Sequence, residues 1–526
     1  MTLAGSKVVR LSVFLLLSIL LNSMFAHQWS LYLDDYVQIP EAVATDSRQF
    51  WTIFIEMLTR NWEMRPLRAF EWLLKREVHS LFGLIGLYHF QALVTGLTAF
   101  TLHLLLRKRF GSGTSFLIAL LFLLSPLDST QSWLATFHWR LSLLLVVWAM
   151  LLVVNNIRFW PGVLLASSFL LQEGCAGIFL STPLLYWRPG ASLRGQSTVF
   201  RSYAKKVALY FLLVFITYAV WRIYIAPSYM SDMRLSALSG RASHHLIAQV
   251  PLLYVVRLTY GYILMAGSSF LFVFEKCGEH PSLFSVLLVI TGLTGLAVYR
   301  GKIDSLLDSR NLEKMMQRSK FLPAFGLLSI PFAFWLCSWG APSRHIGCAS
   351  RFNCVASISH AFFLAGLLYM FIGHAARRLG APGRERCLRA LVATVVTVSF
   401  AGLVTTKIGY QLDYTKAARI QDRLRTEMAR MNPLPESLFI FTENYNHKKI
   451  AVDPVGFGDR WKLPDGTFVQ VIAAHYVYNI SQENGNMVVE AGESNRIEAP
   501  PNMLHQISLS DEVSGISSGP HRPFRP

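Results

Sequence analysis

The chain has 526 residues, 53% of them hydrophobic and only 15% charged, with a mean hydropathy of +0.38. That balance excludes an ordinary soluble enzyme and points to repeated segments near the ~20 apolar residues that cross a hydrocarbon core. The net charge of +18 is not a nucleic-acid footprint, because Lys and Arg gather in short loops between apolar segments, the pattern of a cytoplasmic membrane face.

In chain order, residues 8–29 form a first span behind Lys7 and Arg10. The segment is too long for a signal-peptide core and no small-x-small cleavage site follows it, so it is read as retained. Residues 31–87 form an external loop, with short amphipathic helices at 49–58 and 67–74 lying at the surface. Spans follow at 88–106, ending in Arg107-Lys108-Arg109, at 114–124, stopped by Pro126, and at 132–154. The stretch 161–187 is read as two short segments broken at Gln172-Glu173-Gly174. A single long span would put the basic loop 188–206 outside, against the charge rule.

Residues 207–225 lead outward, and 246–274 make either no crossing or two. Further spans at 283–299, 321–339, 355–374 and 391–406 bring the total to about eleven, with the N-terminus inside and the C-terminus outside. After Ile408 the composition changes. Residues 414–430 are charged and helical, and Pro433 and Pro435 end them. Alternating apolar patterns then start at Ser437, Thr467 and Met487, with a turn at Pro464-Asp465-Gly466, and read as strands.

The expected fold is therefore an all-α polytopic membrane protein with a small external C-terminal α+β domain. Residues 1–408 form the membrane domain, with the external loop at 30–87. An external helical connector covers 409–435, a β-rich domain covers 436–513 and a disordered tail covers 514–526.

Ionisable residues at the external ends of spans are the informative ones, because charge is costly at depth and tends to line cavities. Asp34 and Asp35 close the first span. In extended chain the two point to opposite sides, so one ligand atom meets one of them. The other could bind a metal or cap the following helix. Arg65, before Pro66, is placed to start a helix and could fork onto a phosphate. Glu173 interrupts an apolar run with no neutralising neighbour in sequence. Arg344 and Arg351 precede an inward span and could hold an anionic headgroup. His89, His103 and His138 sit on apolar helices and read as packing residues, and His244-His245 lies in a loop. The six cysteines have no CxxC pattern, although Cys348 and Cys354 both fall outside, where a disulfide could form.

The order of these features resembles a known family. "LDDY" closes the first span and "MRPL" follows in the external loop. "YHF" and "LHLLLRKRF" bound the second span. "LSPLDSTQSWLATFHWRLSLLL" carries Asp128 and the Trp133-to-Arg140 spacing. "LLQEGCAGIFLSTPLLYW" and "SRFNCVASISHAFFLAGLL" complete the series. Together, over residues 8–406, they resemble the polytopic GT-C glycosyltransferases, the superfamily of protein O-mannosyltransferases and the lipid A aminoarabinose transferase. Gln172 stands where many relatives have Lys, Thr130 where Glu is common, Ala92 where Asn is frequent and Phe352 where Tyr closes the late motif.

The resemblance implies an inverting glycosyltransferase that moves a sugar from a polyprenyl-phosphate-linked donor to a lipid, polysaccharide or protein acceptor on the external face. Asp34 or Asp35, with Asp34 preferred, takes the proton of the acceptor hydroxyl. Arg65, Arg344 and Arg351 stabilise the departing phosphate. Asp128, Arg140 and Glu173 contribute to substrate binding, and a divalent cation could join the carboxylates. Membrane lipids are the surroundings and nucleic acid is not a partner. A transporter or flippase of a lipid-linked saccharide would use the same headgroup cavity without a catalytic carboxylate. The expected location is a bacterial inner membrane, with the C-terminal domain periplasmic.

Overall fold

The computed structural model describes residues 7–29, 67–187, 197–221, 251–299, 309–334, 353–379, 385–443 and most of 459–509. Residues 35, 39, 43, 49, 51, 52, 55 and 65 are described individually. Helices α1 (Lys7–Ser23), α2 (Arg68–Leu123), α3 (Phe137–Val154) and α4 (Trp160–Gln172) are followed by a 3-10 segment, Glu173–Tyr186. Then come α5 (Thr198–Val220), α6 (Pro251–Glu279), α7 (Pro281–Tyr299), α8 (Ser309–Ala333), α9 (Asn353–Leu379) and α10 (Glu385–Arg430). Among the described residues, seven helices are long and apolar enough to cross a membrane, and Pro281–Thr294 and Lys320–Ala333 are shorter apolar helices. Large apolar side chains lie exposed along the bundle, among them Leu209, Leu212 and Leu213 on α5 and Leu271 and Phe274 on α6. A water-soluble surface would not carry so much apolar area. The chain is a multi-pass membrane protein.

Two long helices divide the chain differently from the sequence reading. Helix α2 has 56 residues, about 84 Å at helical rise against a core of about 30 Å. It is broken at Gly83 and Gly111, both at positive φ, a conformation glycine adopts without strain. The breaks separate an amphipathic start, a spanning middle and a short final piece, which match the expected surface helix at 67–74 and the spans at 88–106 and 114–124. Helix α10 has 46 residues, about 69 Å. The last span and the charged connector, read from composition as separate units, are one continuous helix.

The stretch 160–186 turns back on itself. Arg109 donates to the Leu185 carbonyl at 3.1 Å, and Tyr186 stacks on Tyr203 with ring centroids 4.6 Å apart. Tyr203 in turn donates to the carbonyl of Val154, at the end of α3. The start of α4 and the end of the 3-10 segment therefore share one end of the bundle, and Gln172, with extended backbone, is the point of reversal. The 3-10 rise lets 14 residues cover about 28 Å. Gly174 sits at this turn because a Cβ there would lie 2.9 Å from the Trp139 indole.

Helix α1 packs against α2, where Ser18 donates to the Ala92 carbonyl at 2.6 Å and a Cβ on Gly96 would strike the Phe14 carbonyl at 2.9 Å. Helices α8 and α9 approach even more closely: a Cβ on Gly366 would stand 2.3 Å from Pro323 Cδ. Small residues let membrane helices reach this distance, where dispersion contacts hold them. Gly366→Leu is expected to force α8 from α9 and to lower the thermal midpoint in detergent by several degrees, as followed by fluorescence-detected gel filtration.

The C-terminal region forms a mixed four-stranded sheet of order β2-β3-β1-β7 and an antiparallel three-stranded sheet of order β4-β5-β6. The strands are β1 (Leu438–Glu443), β2 (Asp459–Lys462), β3 (Phe468–Ala473), β4 (Val477–Glu483), β5 (Asn486–Ala491), β6 (Asn495–Ala499) and β7 (Leu504–Leu509). Strand β1 is central and runs parallel to β3 and β7. Between β2 and β3, where a turn was expected at 464–466, Asp465 is in a turn and the Leu463 N–H donates to the Thr467 carbonyl at 2.8 Å, while residues 464 and 466 lie outside the described residues. Leu424 and Met428 of α10 pack with Phe439, Val469 and Val471 of the sheet in one apolar cluster, which continues through Tyr410 and Tyr414 to Trp29 and Tyr88 in the bundle. The domain is thus seated on the membrane bundle through α10. The expected tail at 514–526 lies outside the described residues.

Candidate functional site

The segment 125–142 carries the site. It leaves α2 at Ser125, passes through two short 3-10 turns, Thr130–Ser132 and Leu134–Thr136, and enters α3. Pro126 and the polar run Asp128-Ser129-Thr130 prevent a continuous helix here, leaving backbone N–H groups to be satisfied by side chains.

Asp35 supplies one such group. Its carboxylate is fully buried and accepts from the backbone N–H of Leu134 at 3.3 Å and of Ala135 at 2.6 Å, capping the second turn from the segment between α1 and α2. Asp128 caps the first turn: its Oδ1 accepts from the Thr130 N–H at 2.9 Å and the Thr130 hydroxyl at 2.7 Å. Its other oxygen pairs with the Arg140 guanidinium, both side chains being buried. Thr130 is therefore the hydrogen-bond donor that orients Asp128.

Glu173 lies at the reversal of the 160–186 hairpin, beside Trp139 and Ser142, whose hydroxyl donates to the Gln172 carbonyl at 3.0 Å. The partner missing from its sequence neighbourhood is Arg65, which donates from Nε at 2.9 Å and from Nη2 at 3.1 Å. This two-pronged pair is the strong form of a carboxylate–guanidinium contact, and both side chains are mostly buried, at 17% and 12% exposure. Arg65→Lys should lose the fork. A double-mutant cycle with Glu173→Gln, read by thermal unfolding in detergent, is expected to give a coupling of about 1.5–3 kcal/mol.

Asp35, Arg65, Asp128, Arg140 and Glu173 are thus gathered around one segment. Asp34, Arg344 and Arg351 lie outside the described residues. Cys354 is a free, buried thiol. The outward-facing disulfide suggested for it is not present, because the residue packs inside the bundle at the start of α9. Its suggested partner Cys348 lies outside the described residues.

Two buried charge clusters were not singled out by sequence. Glu71 pairs with Lys75 at 2.5 Å and with Arg68 at 3.4 Å, and His138 approaches it at 3.8 Å. The spacing of Glu71 and Lys75, four residues apart on a helix, was the available signal. Lys276 of α6, fully buried, bridges Glu279 and Asp413 of α10, each at 2.7 Å. Asp413 and Lys276 are remote in sequence and no local pattern joins them. His89 and His103 are packing residues as expected, bonded to Ser23 and Ser115, each at 2.9 Å. Among the described residues no group of three His, Cys, Asp or Glu side chains forms a metal site. No protein-family model and no curated protein matches the chain.

Proposed function

We propose that the protein is an integral-membrane, inverting glycosyltransferase. It takes a sugar from a polyprenyl-phosphate-linked donor and passes it to a hydroxyl acceptor at the end of the bundle that carries the C-terminal domain. The observation that carries this reading is the convergence of the first-loop residues Asp35 and Arg65, the turn residues Asp128 and Arg140, and Glu173 on the segment 125–142. Charged groups are expensive inside a membrane protein and are retained where substrates or ions are handled.

In this reading Asp34 is the base. Asp35 already spends its carboxylate on two backbone donors and anchors the loop that presents its neighbour. The acceptor oxygen attacks the anomeric carbon as its proton moves to Asp34, and the bond to the lipid phosphate breaks on the opposite face. The leaving phosphate takes the electron pair, and its charge is met by arginines, Arg65 among them with Arg344 and Arg351. The Arg65–Glu173 pair holds Arg65 in a fixed pose, which lowers the reorganisation needed as charge develops. About eleven spans place the basic loops inside and the C-terminal domain outside. The gathering of Arg109, Lys108 beside Asn155 and Lys206 beside Asn156 at the opposite end of the bundle supports that orientation.

The test is donor turnover by the purified protein in proteoliposomes. Release of polyprenyl phosphate with transfer of the sugar supports the reading. Movement of the intact donor between leaflets with its sugar bond unbroken overturns it in favour of a flippase.

A further inference from the structure

Around the 125–142 segment, four side chains from four helices each carry a buried polar atom without a hydrogen-bond partner. Lys407 of α10 is 1% exposed and its ammonium has none. Arg140 of α3 pairs with Asp128 yet leaves its Nε unused. His360 of α9 is bonded through Nδ1 to Ser125 at 3.2 Å, while its Nε2 is unpaired. Tyr262 of α6 stands edge-on to His360, ring centroids 6.4 Å apart, with its hydroxyl unpaired. Ser125, Pro126 and Asp128 hold His360, Tyr410 and Arg140 in turn, and the Lys407 ammonium lies 5.8 Å from the centroid of the Tyr410 ring, so these groups form one neighbourhood. Tyr410, one turn along α10 from Lys407, is fixed by its hydroxyl donating to the Pro126 carbonyl at 2.6 Å.

Each buried unpaired donor costs free energy, more so in hydrocarbon surroundings. A bundle that retains several at one place is built for something that completes them. The charges say what it is. Lys407 and Arg140 are two basic groups beside the single carboxylate of Asp128, so the neighbourhood calls for an anion. Its unpaired polar groups differ in shape and approach from four helices, which suits an anion with several oxygens better than a halide. Guanidinium and ammonium are the groups that bind phosphate, the first by a fork and the second as a point charge.

We propose that Lys407, Arg140, His360 and Tyr262 form an intramembrane phosphate site, completed when a phosphate group enters beside α6. That helix is peripheral: Ile263, Leu264, Leu271 and Phe274 face lipid while Tyr262 faces inward. The existence of the site rests on the unpaired donors. The assignment of a lipid as the source of the phosphate rests on the glycosyl-transfer reading.

The experiment measures binding of a labelled polyprenyl monophosphate, and separately of labelled inorganic phosphate, to the full chain in lipid nanodiscs. Lys407→Met should weaken the polyprenyl monophosphate by about ten- to a hundred-fold and Tyr262→Phe by a smaller factor, while the uncharged polyprenol fails to compete. Lys407-dependent binding of the lipid alone identifies a headgroup site. The same dependence for inorganic phosphate alone identifies a free-anion site. Wild-type protein that binds neither probe, or variants that bind both as wild type does, overturn the proposal. Tyr262→Phe changes no charge and keeps the ring packing, so it reports even where Lys407→Met fails to fold. No sugar is involved in the measurement: Lys407-dependent binding without transfer removes the glycosyltransferase reading and leaves the site standing, and transfer with unaltered binding by Lys407→Met does the reverse.

Discussion

Asp34→Asn is expected to lower sugar transfer by about two to four orders of magnitude, the usual range for removal of a general base, with little change in the amount of folded protein. A hydroxyl acceptor is a weak nucleophile until its proton has somewhere to go, and an amide cannot accept it. Asp35→Asn is expected to behave in the opposite way. Its carboxylate accepts from the N–H groups of Leu134 and Ala135. Asparagine would turn an NH2 donor towards one of these donors, leaving a buried N–H unsatisfied at a cost of about 1–3 kcal/mol. The yield of folded protein should therefore fall, while turnover per folded molecule falls less than in Asp34→Asn. The measurement is turnover normalised to the monodisperse peak in gel filtration. Full turnover by Asp34→Asn, Asp35→Asn and the double variant would remove both carboxylates as the base. Loss confined to Asp35→Asn would reverse their roles.

Sequence reveals this membrane domain unevenly, and the reasons are physical. Spans were legible because hydrocarbon imposes a length and an apolar composition on every one of them. The reversal at Gln172-Glu173-Gly174 was legible from two constraints acting together, a charge inside an apolar run and a basic loop that had to stay on its own side. The identity of the partner of Glu173 was not, because Arg65 lies 108 positions away in sequence and no periodicity links the two. The continuity of α10 was missed for a related reason. Composition changes at the membrane boundary, so a helix that crosses the boundary looks like two elements, although its backbone hydrogen bonds run on. Lys407, Tyr410 and Tyr414 fall on one face of that helix by their three- and four-residue spacing. Their spacing could have been read, but a lysine at a span end ordinarily snorkels to the interface. Only the packing of α3, α9 and α10 shows that this one is enclosed. In the C-terminal domain, alternation marked β1, β3, β4 and β5. Strands β2, β6 and β7 are polar or charged enough, as in "DRWK" and "NRIEA", that alternation did not separate them from loop.

Asp128→Leu is expected to be the most destabilising single change in the charge network, by about 3–5 kcal/mol. The carboxylate pairs with Arg140 in the same neighbourhood as Lys407, while Thr130 supplies two hydrogen bonds from its backbone and hydroxyl. Removing it strands two buried cations beside each other and frees two donors at once. Arg140→Met should cost less, because Asp128 then faces Lys407 alone and the charges balance. The double variant Asp128→Leu with Arg140→Met should recover much of the loss, since an uncompensated buried ion costs more than its absence. Adding Lys407→Met to that pair should recover more, because it removes the remaining buried ammonium. The order of unfolding midpoints in detergent is therefore predicted as wild type highest, Arg140→Met above Asp128→Leu, and the triple apolar variant above Asp128→Leu alone. If Arg140→Met proves as damaging as Asp128→Leu, Lys407 does not share the carboxylate. The charge count behind the phosphate site would then fall with it, since that count needs both cations on a single aspartate.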